Sequence, residues 1–465
     1  MTPGATALPD GFAVRLHDDV ELGPVVPAGW RFLRLSATAR SLLADRSLVV
    51  SSPVTAMLAA RLLDLDLADP VPDVGAAPGP DSVTVVVPVK DNARGVDRLL
   101  TSLSGHVACV VVDDGSADPR ALAQVVERHG AALVRLDRNV GPAAARDAGL
   151  RSVRTPLVAF VDSDVEVAPS ALGQLAAHFA DPGLAAAAPR IRSHGGTRWF
   201  ERYDDAMGSL DLGPRSATVR PWSPVAYVPS ACLVARVELL GDGFDPRLRC
   251  GEDVDLVWRL HDAGHRVRYV AEVEVGHEVR RTVRSWLGRK AFYGTSAALL
   301  AQRHGDKVAP AILSPTSTLT VAGVLLQRRW SWAIAAGLSA WTLHDAGRRL
   351  PELSFQQRLG LARTADVALA KQASGLALRH WWPVTAVLAV VSPRARRAVA
   401  VMVLADGVAT HRSSGTDLDV LRFTLARRAD DLAYGAGVWW GAVRERSVAC
   451  LLPRRDSVVR GGPGR

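Results

Sequence analysis

Between Val83 and Val161 four apolar runs, "VTVVVP", "VACVVVD", "AALVRLD" and "PLVAFVD", alternate with the helical segments "GVDRLLTSLS", "PRALAQVVERHG" and "PAAARDAGLRSV". This feature constrains the fold more than any other. Strands apolar on both faces, with helices between them, belong to a parallel sheet covered on each side. The predicted class is therefore α/β. Such sheets bind ligands beyond the carboxyl ends of their strands. Acidic residues collect there: Asp91 after the first run, Asp113 and Asp114 after the second, Asp162 and Asp164 after the fourth.

"FVDSDVEV" places Asp162 and Asp164 two residues apart. In an extended chain these two side chains share a face. Two carboxylates held that close repel each other unless a cation lies between them, and a divalent metal with oxygen ligands would serve. The competing reading is that one of them caps the helix near "APSALGQLAAHF". "VVVDDGSADP" offers an acidic pair to a nucleobase edge or ribose, or else a loop that caps the next helix. In "DRNVGPAAARDAGL", Asn139 and Gly141 stand at a helix entrance able to meet phosphate oxygens. Arg146 lies one turn in and can pair with a carboxylate or a diphosphate. "LRCGEDVDLVWRLHDAGHRVRYV" sets Glu252, Asp253 and Asp255 in the first turn of an amphipathic helix. Acids favour that position for dipole reasons alone. His277 follows at another strand end, in "EVEVGHEV".

Around this region the pattern changes twice. Residues 1–72 read as a small α+β domain in which short strands ("FAVRLHDDVEL", "GWRFLRLS") alternate with helices capped by Ser36 and Ser52. Residues 73–82 are a Pro- and Gly-rich linker. Residues 83–304 hold the alternating region. Residues 305–465 are helical, hydrophobic and basic: Val308–Leu326 and Trp330–Leu343 carry no charge and are separated by "QRR", while "WWPVTAVLAVVS" and "AVAVMVLA" flank "PRARR". Apolar runs bordered by Trp and Arg suit a membrane interface, with a helical bundle in water as the alternative; the expected location is the cytoplasmic face of the cell membrane, with spanning segments allowed for. The net charge of +9 and pI of about 9.9 suit a polyphosphate ligand, nucleic acid or an anionic membrane. Four scattered cysteines without a CxxC pair argue against a zinc site. The first residues lack a basic stretch followed by an apolar core, so no signal peptide is expected.

Taken in order, "VVVPVKDN", "VVDDGSADP", "NVGPAAARDAG", "FVDSDV" and "CGEDVDLVWRLHDAGHRV" resemble the family-2 inverting glycosyltransferases, over residues 82 to about 300. The resemblance implies a GT-A fold, a Rossmann-like, mostly parallel sheet. It implies that Asp91, Asp113 and Asp114 hold the donor nucleotide, with Pro88, Asn139, Gly141, Arg146 and Asp162 around it. It implies that Asp162 and Asp164, with His277, bind Mg²⁺ or Mn²⁺ on the donor diphosphate. Asp253 becomes the general base and Glu252 helps position the acceptor. The QxxRW motif of processive synthases is absent. "QRRW" is one residue short of it, and Arg284, Arg289 and Lys290 in "RSWLGRKAFYG" are expected to meet phosphate instead.

A closer likeness, carried by the N-terminal unit with "RYDDAMGSLDLGPR" and "LRCGEDVDLVWRL", is to glycosyltransferases that decorate a small redox cofactor derived from a ribosomal peptide. It implies glucose from UDP-glucose, β-linked, and a short β-1,4-glucan. The pattern of residues 1–72 also resembles small winged-helix domains that recognise peptides, so a peptide or partner protein is expected there; a packing role is the alternative. No nucleic acid is expected. Other acceptors, lipid-linked or polysaccharide, fit the same family, with rhamnosyl or mannosyl transfer. A sugar-phosphate nucleotidyltransferase would want a Gly-rich loop where "PVKDNARG" stands, a phosphatase would want its DxD earlier, and a non-catalytic binding protein would not need Asp253.

Overall fold

In a computed structural model of the chain, residues 7–28, 31–73, 79–103, 105–194, 196–278 and 282–455 are described. The expected linker falls partly outside them.

The chain begins with strands β1 (Ala13–Leu16), β2 (Val25–Ala28) and β3 (Arg31–Arg34), helix α1 (Ala37–Leu42), β4 (Ser47–Val49), α2 (Pro53–Asp64) and β5 (Ala68–Val71). An antiparallel sheet in the order β4-β1-β5 and the hairpin β2-β3 enclose a core that includes Val14, Leu43, Ala59, Leu62 and Leu65. Both expected caps form: Ser36 Oγ accepts from the Ala39 amide, and Ser52 makes a capping box with Thr55.

All four apolar runs become strands: β6 (Val83–Val89), β7 (Ala108–Asp113), β8 (Ala132–Arg135) and β9 (Leu157–Val161). The intervening helices are α3 (Ala93–Leu103), α4 (Pro119–Arg128) and α5 (Pro142–Leu150). The ladder β9-β6-β7-β8 is parallel throughout. Val85, Val86, Val87, Val111 and Val112 are completely buried because helices cover both faces. The chain continues through β10 (Val165–Glu166), α6 (Pro169–Ala177), β11 (Leu184–His194), α7 (Trp199–Met207), β12 (Ala217–Thr218), β13 (Cys232–Arg236), α8 (Glu252–Asp262) and β14 (Arg266–Glu278). These strands extend the sheet to nine, in the order β10-β14-β11-β13-β9-β6-β7-β8 with β12 beside β14. The pairs β13–β9, β11–β13 and β10–β14 are antiparallel, a reversal that the helix-strand alternation upstream does not announce.

Two compact units result, residues 1–196 with 208–279, and residues 197–207 with 280–465. The N-terminal sheet belongs to the first unit. It is tied to the large sheet by the Thr218 amide on Asp66 (2.7 Å), by Arg266 on Asp64 (3.4 Å) and by Arg268 on Asp69. A cavity of about 830 Å³ lies between them, lined among others by His17, Asp69, His178 and Arg268; it contains none of the acids singled out above.

The second unit holds α7, α9 (Val283–Gly294), α10 (Ala297–His304), β15 (Ile312–Leu313), α11 (Pro315–Leu326), α12 (Arg329–Arg349), α13 (Phe355–Gly375), α14 (Trp382–Val391), α15 (Pro393–Ser414), α16 (Val420–Arg444) and β16 (Arg454–Arg455). Its seam falls at 279, short of the boundary expected at 304, because α9 packs backbone-close along α16. A Cβ on Gly437 would collide with the Ala291 carbonyl, and one on Gly294 with the Tyr434 carbonyl. Phe200, Tyr203, Trp286 and Phe423 form an aromatic core that draws α7 into the same unit. Among the described residues no helix is long and apolar enough to cross a membrane.

Candidate active site

The acids after the strands do not stand as an extended chain would hold them. Beyond β9 the Asp162 amide bonds the Ala231 carbonyl (2.9 Å), and the Val165 amide returns to the Asp162 carbonyl (3.0 Å). Residues 162–165 are thus a tight turn, and the same-face argument for Asp162 and Asp164 does not apply. Asn92 fixes this turn by donating to the Ser163 carbonyl (3.3 Å) and Oγ (3.0 Å). Gly95 lies so close that a Cβ would collide with the Ser163 carbonyl. Neither acid caps α6, whose N-cap is Ala168. Pairing of Val165 with His277 brings Asp164 Oδ2 to 3.4 Å from His277 Nε2.

Asp162 faces Arg146. This guanidinium is 3% exposed and donates to Asp162 Oδ1 (2.7 Å) and to Glu252 Oε1 (2.8 Å), with the Phe244 ring 5.4 Å from its carbon. It therefore joins the DSD turn to the start of α8, residues 106 positions apart from it in sequence. Its Nε is buried without a partner. Burial pushes the Asp162 carboxyl above the usual range; Arg146 opposes that shift and the Asp164 charge adds to it. A third of the Asp162 side chain (33%) still reaches solvent, which moderates the burial effect. Among the described residues no three His, Cys, Asp or Glu side chains stand close enough together to hold a metal ion. The expected trio Asp162, Asp164 and His277 is therefore not a ready-made cage, because Asp162 is turned to Arg146 and Asp164 to His277.

Asp253 is the next residue after Glu252. Gly251, left-handed at φ 78°, is the N-cap of α8, and Asp253 stands in the first turn of that helix. Its Oδ1 accepts from the Val254 amide (2.8 Å) and its Oδ2 from the Ser230 amide (3.4 Å). Burial, then the Glu252 charge, push this carboxyl up to about 7, against the two amides and Arg146. Asp255, the third acid of the motif, is fully buried and pairs with Arg259 (2.9 Å), so it is part of the helix packing.

The three acids expected around the nucleotide do gather at the ends of β6 and β7, where each holds backbone. Asp91, at φ 56°, accepts from the Ala117 amide (2.7 Å), and its own amide bonds Ser116 Oγ (3.0 Å). Asp113 Oδ1 accepts from the Ser116 amide (2.9 Å). Its Oδ2 is buried without a hydrogen bond, 3.5 Å from Arg135 Nε. Asp114 accepts from the amides of Val140 (2.7 Å) and Gly141 (2.9 Å), fixing the entrance of α5. Gly141 takes φ 97° there, and Asn139 accepts from Arg249 Nη2 (3.0 Å). Pro88 is buried in β6, opposite Val112 and two positions beyond the end of pairing with β9.

Among the basic residues expected to meet phosphate, Lys290 is corrected: it is buried and paired with Asp430 (3.1 Å) and Asp204 (3.5 Å) inside the second unit. Arg289 lies over the rings of Phe292 and Tyr293, and Arg284 is exposed at the start of α9. Sequence reasoning missed Asn92, Gly95 and Ser230; it places Phe244 and Arg249 in a loop that could close over the site, without their contacts to Arg146 and Asn139. Asn92 and Gly95 lie in the quoted "PVKDNARG" and Arg249 in "LRCGED", but each acts through a contact more than 60 residues away along the chain.

The family model for glycosyl transferase family 2 matches residues 84–244. A "Pre-mycofactocin glycosyltransferase" of Mycobacterium tuberculosis is 43% identical over 97% of this chain and 99% of its own length. The chain belongs to glycosyl transferase family 2. It is a glycosyltransferase, and its nine-stranded sheet is the GT-A core. An N-acetylglucosaminyltransferase of Sinorhizobium fredii is 25% identical over 60% of this chain and 75% of that protein. A solved mannosyltransferase of Pyrobaculum calidifontis covers 75% of this chain and 90% of its own at 20% identity, with a TM-score of 0.39.

Proposed function

We propose that this glycosyltransferase moves glucose from UDP-glucose to a hydroxyl of a small acceptor with inversion, and that Asp253 is the base. The acceptor we propose is pre-mycofactocin, after the name of the M. tuberculosis relative that matches nearly the whole chain. Repetition of the step would build a short β-1,4-glucan. The observation that carries the mechanism is the placement of Asp253, a half-buried carboxyl in the first turn of α8, held by the Val254 and Ser230 amides and next to the Arg146–Glu252 bridge; desolvation and the Glu252 charge push it up to about 7. A base works best when its pKa lies near the working pH, and such proton transfer contributes about 10²–10⁴-fold.

Charge sets the remaining roles. Asp253 removes the acceptor proton as the hydroxyl attacks the sugar from the face opposite the nucleotide. Glu252, held by Arg146, orients the acceptor. Asp91 and Asp114 shape the loops 114–117 and 139–141 that would receive nucleotide and diphosphate, and the buried Asp113, beside Arg135, holds the Ser116 amide that starts the first of them. A divalent ion commonly takes one or two protein carboxylates and completes its shell with substrate phosphates and water. The oxygen donors present suit that mode and not a closed cage: Asp162 keeps a carboxylate of which a third reaches solvent, and Asp164 stands as a separate pair with His277. Asp162, Asp164 and His277 would hold Mg²⁺ or Mn²⁺, which when bound neutralises charge on the leaving diphosphate.

The N-terminal unit is proposed as a recognition unit for a peptide or partner protein. Support comes from its edges. Pro70 leaves β5 without one amide donor, so β4 is the edge open to an added strand.

The test is purified full-length protein with pre-mycofactocin, Mn²⁺ and UDP-glucose, GDP-mannose or dTDP-rhamnose in turn, read by mass of the product. A hexose added from UDP-glucose alone is expected. Transfer from another donor, or no UDP release with any acceptor, contradicts the reading.

A further inference from the structure

In helices α11 to α15 only Gly323, Ser331, Ala335 and Gly407 are buried. Their large apolar side chains point outward: Val390 is 79% exposed, Val391 69% and Trp330 59%. Apolar side chains exposed together on one set of helices, unlike ones scattered singly, mark an interaction site. Its charge is equally one-sided. Residues 315–414 hold twelve Lys and Arg against four Asp and Glu, while the whole chain has a net charge of +9.

Two helical hairpins concentrate both properties. One turns at Gln327-Arg328 between α11 and α12, the other at Ser392 between α14 and α15, with Arg329 and Arg394–Arg397 at the start of the helix that follows each turn. The Gln327 side chain joins the turns, donating to the Arg394 carbonyl (2.8 Å) and accepting from Arg397 Nε (3.2 Å). Arg328, Arg329, Arg394, Arg396 and Arg397 thus form one cluster, flanked by Leu326 and Trp330 on one hairpin and Val390 and Val391 on the other.

We propose that the paired hairpin turns seat this unit on an anionic lipid surface without crossing it. The arginines meet headgroup phosphates and the flanking apolar residues enter the acyl boundary, the arrangement of an interfacial helix. Charge complementarity selects lipid over a second copy of the chain, since two such faces would bring five arginines against five. Length and charge together select lying on the bilayer over crossing it. α14 has ten residues and α11 twelve, about 15 and 18 Å against a hydrocarbon core of about 30 Å. α12 and α15 are longer, with 21 and 22 residues, but both carry charged residues at their ends and within them, and among the described residues no helix is long and apolar enough to cross. The proposal does not depend on which sugar or acceptor is used.

The experiment is flotation of full-length protein with vesicles of phosphatidylcholine alone and of phosphatidylcholine with phosphatidylglycerol. Binding to the anionic vesicles only is expected, with a blue shift of tryptophan emission. Each arginine near an anionic surface is worth roughly fivefold in partition, so R394E/R396E/R397E should lower binding at least a hundredfold. V390D/V391D, at exposed positions, should abolish the blue shift while the thermal melt and UDP affinity stay unchanged. Three outcomes overturn the proposal: no binding to either vesicle, resistance to alkaline carbonate extraction (a crossing segment), or a dimer in sedimentation that V390D/V391D dissolves.

Discussion

The carboxyl ends of β6, β7 and β9 and the helices α11–α15 are built on opposite rules. At the strand ends, most polar groups named above have a partner: Asp114 holds two amides, Asn92 holds the DSD turn, and Arg146 holds two acids. Among α11–α15 almost no apolar side chain is fully buried and the cations outnumber the acids. A region whose contacts are satisfied internally carries chemistry that needs fixed geometry. A region whose contacts are left open is shaped for something outside the chain.

The largest expected effect falls on the first region. Asp253→Asn keeps the size of the side chain and cannot take a proton, so turnover should drop by about 10²–10⁴-fold while UDP affinity by calorimetry is unchanged. Retained turnover would remove the base from the account. Arg146→Met comes next. It leaves Glu252 and Asp162 without their shared cation, and breaking such a buried pair costs about 3–5 kcal/mol, measured by urea unfolding. Arg146→Lys should recover only part, because a single ammonium cannot reach both acids with the same fork.

Gly437→Ala tests whether the second unit has any tightly determined part. Its Cβ would meet the Ala291 carbonyl, so an overpacking cost of about 1–3 kcal/mol is expected, with a lower Tm and unaltered UDP binding. An unchanged Tm would mean that α9 and α16 are as loosely held as α11–α15. Ser52→Ala is the smallest, about 1 kcal/mol from the lost capping box of α2, and donor binding should not respond. A response would tie the N-terminal sheet to the site.

Local pattern made the four parallel strands, the caps at Ser36 and Ser52 and the start of α8 legible, because each depends on neighbours a few residues away. The conformation of Asp162–Asp164 was not legible. A spacing of two fits an extended chain and a turn equally, and the turn is selected by Asn92 and Ala231, which are distant in sequence. Lys290 reads as a phosphate ligand until Asp430, 140 residues on, is folded against it. Asp91 and Asp114 sit where the strand rule places ligand-binding acids, yet their bonds go to backbone amides. Sequence located the site, and long-range contacts decided which side chains are left to act.

The pH dependence of kcat/KM for sugar transfer tests the central claim most directly. Asp253 must be ionised to accept the acceptor's proton, and its carboxyl is pushed up to about 7. Below that value each pH unit should therefore cost about tenfold, with a plateau above it. The account predicts a rate that rises between pH 5 and a midpoint near 7, and a residual Asp253→Asn rate without that rise. A parent profile flat from pH 5 to 8, or the same rise in Asp253→Asn, would contradict it.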